Sequence, residues 1–214
     1  MGAKTWMLAI VDGNASEILK SSPKLDRERS YEFAKKLFPS EKLALLGDGD
    51  LSFTCPPDNE ILVGCFPGLS ILAAKEFGID YPSKLHPRFV EASSGKTVYL
   101  HAMHSVVDWF AYAVWVDGKL ERSLSISPDS GILEAIGPKQ AFEEPYWSGL
   151  YPACDPDDEF PDYPLPFHPL DLGEAALSEL FGYQLEGEIN PTLLEPETIP
   201  LLRFKRSSKW WKFW

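Results

Sequence analysis

The stretch WFAYAVWVDGKLERSLSI (Trp109–Ile126) contains the clearest structural signal in this chain of 214 residues. Two runs of alternating residues flank Asp117-Gly118, a dipeptide typical of the two-residue turn of a β-hairpin. A two-residue turn also predicts how the two strands pair. The expected cross-strand pairs are Trp115–Leu120, Ala113–Arg122, Ala111–Leu124 and Trp109–Ile126.

The two strands of this hairpin differ in polarity. The first is apolar on both sides, which predicts a central position in a sheet. The second presents one polar face to solvent, and that face carries Lys119, Glu121, Ser123 and Ser125. The hairpin therefore predicts a sheet that extends beyond its first strand.

Patterns on either side of the hairpin complete the expected fold. They predict strands at 4–12 and 60–66, a hairpin at 43–53 around Gly47-Asp48-Gly49-Asp50, and helices after Asn14, at 26–38 and at 171–181. We expect a single α+β domain over 1–206, with a mixed or mainly antiparallel sheet, a central hairpin at 109–126 and a few flanking helices. It includes an acidic loop at 151–169 that contains six prolines.

Two of the four histidines, His101 and His104, lie three residues apart just before the hairpin. On a helix they would share a face and could bind one metal ion, whereas on a strand they point to opposite faces. The preceding residues, Thr97–Leu100, are rich in β-branched and aromatic side chains and favour a strand. The sequence therefore predicts no metal site here, and two histidines held by hydrogen bonds in or beside a sheet.

Five polar residues are weak candidates for catalysis: His101, His104, Asp108, Asp129 and His168. Ser105 could complete a Ser-His-Asp set, but no G-x-S-x-G motif is present to hold a nucleophile. The glycine patterns of nucleotide-binding loops are also absent, and the acidic residues at 154–164 lack the spacing of a calcium loop. We expect no cofactor and no bound metal.

Composition limits the compartment and the partners. The net charge is −12 and the isoelectric point is near 4.8, which argues against nucleic acid as a partner. Three cysteines without a CxxC pair fit neither a disulfide framework nor a zinc ribbon. No apolar run is long enough for a membrane span, and no signal peptide is evident. We expect a cytoplasmic protein.

The last eight residues, 207–214, form a basic-aromatic tail of unusual composition. Its aromatic and basic side chains are Lys209, Trp210, Trp211, Lys212, Phe213 and Trp214. This composition is typical of contact with an anionic membrane interface. Alternatively, these aromatic side chains dock on the acidic body of the protein itself or on a second copy of the chain, or they contact a partner protein or single-stranded nucleic acid.

Several strings resemble those of a bacterial protein family of unknown function. They are MGAKT (1–5), VGCFPG (63–68), VYLHAMHSVVDWFAYAVW (98–115), SLSISPDSGILE (123–134), FEEPYW (142–147) and YPLPFHPLDLGEAAL (163–177). The resemblance implies a cytosolic single domain. The family has no known activity to transfer, so the resemblance assigns no catalytic residue. The tail lies beyond it.

Two functional hypotheses follow. The first is a non-catalytic binding or regulatory protein whose tail attaches it to a membrane surface or to a partner. The second is a hydrolase or metal-dependent enzyme, with a His/Asp/Ser site at the end of the sheet. His168 directly precedes a predicted helix N-terminus, where backbone N–H groups could orient an imidazole or an anion.

Overall fold

The computed structural model describes residues 2–91, 93, 95–154, 163–187 and 190–208. The acidic part of the predicted loop, 155–162, and the end of the predicted tail, 209–214, lie outside these residues. Within the described ranges, no helix has the length and apolar character needed to cross a membrane.

The described residues form one nine-stranded sheet in which every neighbouring pair of strands is antiparallel. The strands are β1 (Lys4–Val11), β2 (Glu41–Asp50), β3 (Glu60–Phe66), β4 (Leu69–Ala73), β5 (Thr97–His104), β6 (Trp109–Val116), β7 (Lys119–Ser127), β8 (Gly131–Ile136) and β9 (Pro200–Ser208). The α-helices are α1 (Ala15–Lys20), α2 (Arg27–Leu37), α3 (Pro87–Glu91), α4 (Glu144–Trp147) and α5 (Pro169–Phe181). The expected α+β fold with a mainly antiparallel sheet is confirmed.

The predicted hairpin at 109–126 is present as β6 and β7, but its register agrees with the prediction only beside the turn, where Trp115 pairs with Leu120. A β-bulge next to Trp115 shifts the pairing by one residue, so Tyr112 lies opposite Leu124. The other three predicted pairs, Ala113–Arg122, Ala111–Leu124 and Trp109–Ile126, are wrong for this reason.

The position and exposure of the hairpin also differ from expectation. The order across the sheet is β2-β9-β3-β4-β1-β5-β6-β7-β8, so the central strand is β1 and the hairpin lies towards one edge. Ser123 and Ser125 on β7 are fully buried. Their hydroxyl groups are satisfied internally, since Ser123 donates to the carboxylate of Glu134 and Ser125 accepts a hydrogen bond from the indole of Trp109. Lys119 and Glu121 are exposed as predicted, so the predicted solvent-facing side of β7 is wrong only for Ser123 and Ser125.

The second predicted hairpin, at 43–53, does not exist. Its residues form the single strand β2, and Gly47 lies at a register shift between β2 and β9 with φ of 147°. The glycines thus serve a bulge rather than a turn. The hydrogen-bonding partner of β2 is β9, at the far end of the described chain. A local sequence pattern cannot reveal a partner so distant in the chain.

Both faces of the sheet are covered. Helices α1 and α5 pack on one face, over a cluster that includes Met7, Phe110 and Phe181. Helices α2 and α3 and the short 3₁₀ turns at 75–77 and 82–84 pack on the other, over a cluster that includes Leu8 and Val98. This double coverage explains why β1, β3 and β6 are apolar in almost every position.

The helix ends follow capping rules. The side chains of Asn14 and Asp26 accept the backbone N–H groups that open α1 and α2, and Gly182 ends α5 with a left-handed φ of 78°. Helix α5 starts two residues before the predicted Asp171, because His168 acts as its N-cap and proline is favourable in the first turn.

Candidate functional site

His101 lies inside the protein, on the face of the sheet covered by α5. Its Nε2 donates to the carbonyl of Gly173 at 3.0 Å, so its Nδ1 accepts from the hydroxyl of Thr5 at 2.6 Å. Burial lowers the pKa of His101 to about 4. Both ring nitrogens are therefore occupied, and the neutral ring holds β1, β5 and α5 together.

His104 points to the opposite face, as the strand period predicts, and lines a cleft there. We call this cleft the tryptophan cleft; it is lined by Trp6, Gly78, Asp80, His104, Val107, Trp109, Ser127, Asp129, Ser130 and Leu133. Asp129, a second candidate from the sequence, is among these residues. The fold thus brings two of the five candidates to one cleft.

The sheet register builds the floor of the tryptophan cleft. Trp6 on β1 pairs with Ala102 on β5, and two residues further along β5, His104 pairs with Trp109 on β6. Paired residues point to the same face, so the two indoles flank the imidazole. The turn after β7 contributes Asp129, and the chain after the 3₁₀ turn at 75–77 contributes the second acidic residue, Asp80.

The tryptophan cleft carries acidic and aromatic groups. Asp80 and Asp129 are both exposed, and neither makes an ion pair or hydrogen bond with any described residue. Neither lysine nor arginine occurs among the described residues that line the cleft. Burial, followed by the charge of Lys4, lowers the pKa of His104, which favours the neutral ring. The cleft is therefore electronegative.

Asp108 and His168 meet elsewhere, at the N-terminus of α5. His168 Nε2 lies 3.6 Å from Asp108 Oδ2, and His168 Nδ1 accepts the backbone N–H of Leu170 at 3.3 Å. The ring of Tyr163 stacks on this imidazole with centroids 5.7 Å apart. Since Nδ1 is used as the helix cap, the proton sits on Nε2 towards Asp108, and no lone pair of His168 is left to accept a proton from a substrate.

The five candidates are thus distributed over three places, and no Ser-His-Asp set is assembled. Among the described residues, Ser105 makes no hydrogen bond to a histidine or an aspartate. The same part of the chain contains no group of three or more His, Cys, Asp or Glu residues that could hold a metal ion.

A buried polar network near the edge of the sheet has no counterpart in the sequence analysis. Arg122 on β7 forms two hydrogen bonds to Glu143, at 2.9 and 2.6 Å, and the hydroxyl of Tyr112 donates to the same carboxylate. The indole of Trp147 also donates to it, at 3.1 Å. Hydrogen bonds to Arg122 keep the pKa of Glu143 low despite burial, which by itself raises it. The network anchors the segment 140–147 to the sheet.

A second buried carboxylate, Glu174 on α5, holds the chain that follows the helix. Its oxygens accept the backbone N–H groups of Leu185 and Glu186 at 2.8 and 3.2 Å. Burial raises the pKa of Glu174 to about 7. Leu185 and Glu186 line a cleft of about 930 Å³ beside the start of β1.

Sequence reasoning also missed the tryptophan cleft itself. Trp6, Trp109 and Asp80 come from three distant segments, and only the pairing of β1, β5 and β6 brings the two indoles together. A tryptophan on a buried strand reads as core from sequence alone. One indication of this cleft is present in the sequence: the two-residue period of strand β5 predicts that His104 points to the opposite face from His101.

The fold and cleft together define an α+β protein with a single antiparallel sheet, helices on both faces and an acidic aromatic cleft at the sheet surface. The chain belongs to a family of unknown function, DUF6928, whose model matches residues 5–204. The resemblance to a family of unknown function is confirmed by this match. No curated protein and no solved structure matched the chain significantly.

Proposed function

We propose that this protein is a non-catalytic binding protein that attaches to an anionic membrane surface through its C-terminal segment, Ser207–Trp214. The proposal rests on a group of exposed lysines near the end of β9, where the C-terminal segment begins. Ser207 pairs with Lys42 on β2, and Lys205 is exposed two residues earlier. Lys36 is exposed in the last turn of α2, which leads directly into β2.

These lysines are not neutralised by their surroundings. Lys36, Lys42 and Lys205 make no ion pair with any described residue. The nearby carboxylates of Glu41 and Glu76 are instead both engaged by Arg206, at 3.2 and 2.6 Å. A protein of net charge −12 would be repelled by anionic lipid as a whole. A basic end allows that end alone to approach the lipid.

The sequence of the C-terminal segment complements this surface. Lys209 and Lys212 alternate with Trp210, Trp211, Phe213 and Trp214. Tryptophan is favourable at the level of lipid headgroups, and each lysine near an anionic surface contributes about 1 kcal/mol. The segment therefore combines the two signals that stable peripheral attachment needs.

The distribution of the catalytic candidates supports a non-catalytic role. His101 uses both ring nitrogens in hydrogen bonds. His168 uses Nδ1 to cap α5, and its Nε2 lies 3.6 Å from Asp108. General base catalysis needs an imidazole with a free lone pair near the reacting group. His104 differs, because its Nδ1 is buried and has no hydrogen-bond partner among the described residues.

Vesicle sedimentation tests the attachment. The full chain and a chain that ends at Ser208 are incubated with phosphatidylcholine vesicles with or without phosphatidylserine; this truncation keeps β9 whole. We expect the full chain to sediment only with anionic vesicles, and the truncated chain to stay in solution. Lys42→Gln and Lys205→Gln should weaken binding, whereas Lys119→Gln at the distant hairpin turn should not.

Two results would overturn the membrane proposal. One is a full chain that does not sediment with anionic vesicles. The other is a full chain whose oligomeric state changes on truncation although its vesicle binding does not, since self-association would then be the role of the segment.

An enzyme site in the tryptophan cleft is the second candidate, because His104, Asp129, Ser127 and Ser130 all line that cleft. Hydrolysis of activated esters by the wild type and by His104→Ala distinguishes it. We expect no turnover above the buffer rate in either protein. Turnover that His104→Ala abolishes would favour the hydrolase.

A further inference from the structure

We propose that the tryptophan cleft binds a small organic cation, an alkylammonium group or one of similar size. The cleft has a volume of about 340 Å³, which is within the range of small-molecule sites. It lies on the body of the protein, so this inference does not depend on the membrane proposal for the C-terminal segment.

Two indoles provide walls of fixed position. Gly78 lies against Trp6 so closely that a Cβ at this glycine would come within 2.7 Å of the indole Nε1. Trp109 is held by the hydrogen bond from its Nε1 to Ser125 at 3.2 Å and is nearly buried. The electron-rich face of tryptophan attracts cations more strongly than that of any other aromatic side chain. Both rings are therefore oriented before a ligand arrives.

Charge selects a cation over an anion. Asp80 and Asp129 contribute two carboxylates that have no partner among the described residues, and the described lining includes neither lysine nor arginine. Lys4, the ladder partner of His104, points to the same face of the sheet and offsets one of these two charges. It is not among the described lining residues, and the two carboxylates remain in excess. An anion would meet repulsion from both carboxylates and from the net charge of the protein.

The aromatic walls select an organic cation over a metal ion. A hard metal ion prefers several oxygen ligands at close range. Asp80, Asp129 and His104 are not grouped closely enough to hold one, since the described residues contain no such cluster. A cation with methyl or methylene groups would instead use the carboxylates at longer range and the indoles by contact.

Titration calorimetry with a matched pair of ligands tests this inference. Choline carries a quaternary ammonium, and 3,3-dimethyl-1-butanol has the same shape without the charge. We expect choline to bind and the neutral analogue to bind at least about tenfold more weakly, because the charge supplies the attraction. The full chain is used throughout.

Variants then locate the site. Asp80→Asn and Asp129→Asn should each weaken choline binding by about five- to tenfold, because each removes one carboxylate from the rim. Asp12→Asn is the matched control, since Asp12 is exposed and outside the cleft. Its affinity for choline should equal that of the wild type.

Three outcomes would overturn the inference. Equal binding of choline and its neutral analogue would indicate an apolar site. Binding of glucose without binding of choline would indicate a carbohydrate site. Absence of choline binding in a chain whose thermal unfolding is cooperative would remove the site altogether.

Discussion

Two buried ionisable residues, Glu174 on α5 and His101 packed against α5, contribute to stability with opposite pH dependence. Burial raises the pKa of Glu174 from 4.5 to about 7, so the folded state gains stability as the pH falls through this range. Burial lowers the pKa of His101 from 6.5 to about 4, so the folded state loses stability as the pH falls. Between these values the two contributions offset each other.

Replacing Glu174 should expose the contribution of His101. We expect Glu174→Gln to lose about 2 kcal/mol of unfolding free energy between about pH 7 and about pH 5, and the wild type to change much less. Urea unfolding at both pH values measures this difference. Glu179→Gln, an exposed position on the same helix, is the control. Parallel pH profiles for the wild type and Glu174→Gln would contradict the prediction.

The pair of Arg122 and Glu143 is buried, with side chains 4% and 0% exposed. Arg122→Met should cost about 3–5 kcal/mol, because it leaves a buried carboxylate without its cation. Denaturant unfolding measures the loss. The double variant Arg122→Met/Glu143→Leu should recover much of it, and Arg27→Met in the exposed pair with Asp48 should change little. A loss from Arg122→Met no larger than that from Arg27→Met would refute this account of the network.

At the scale of elements, two glycines with the same φ differ in how closely other backbone atoms approach them. Gly118, in the β6–β7 turn, and Gly137, just after β8, both have φ of 76°. A Cβ at Gly118 would meet nothing within 4 Å, whereas one at Gly137 would come within 1.9 Å of the carbonyl oxygen of Glu121. The backbone strain is the same at both sites, and the crowding is not.

Alanine substitution at both glycines separates these effects. Gly118→Ala should cost about 1 kcal/mol, because only the left-handed backbone is penalised. Gly137→Ala should cost several times more, since β7 and the segment after β8 must move apart. The carbonyl of Gly137 also accepts from Arg122 at 3.1 Å. Denaturant unfolding compares the two variants, and equal losses would contradict the predicted crowding.

At the scale of the whole molecule, the sheet formed by the described residues is open, and β2 and β8 are its edge strands. Leu45 and Leu46 on β2 are 55% and 48% exposed. An edge strand with exposed apolar side chains is a template for pairing with a second copy. Self-association through β2 is therefore a prediction of the architecture.

A charge on this edge should prevent such pairing. We expect Leu45→Lys to shift the protein towards monomer, as measured by sedimentation velocity over a range of concentrations. Val106→Lys is the control, because Val106 is more exposed, at 74%, but lies in a turn. A wild type that remains monomeric at all concentrations, or a Val106→Lys variant with the same effect, would refute the role of β2.

Local pattern determined the elements that depend on near neighbours. The Asp117-Gly118 turn, the helix that begins after Asn14, and the strand that separates His101 from His104 were all predicted correctly. Each rests on interactions within a few residues, such as turn dihedrals, capping hydrogen bonds and the two-residue period of a strand.

Only the tertiary structure decided which strands pair and which polar groups meet. The partner of β2 is β9, the hairpin lies off centre because β1 takes the middle, and a bulge beside Trp115 reverses the faces of the residues beyond it. The tryptophan cleft likewise combines segments that are far apart in the chain. The surroundings of His104 depend on what packs around β5. The two-residue period of a strand determines which face a side chain points to, but not which residues it contacts there.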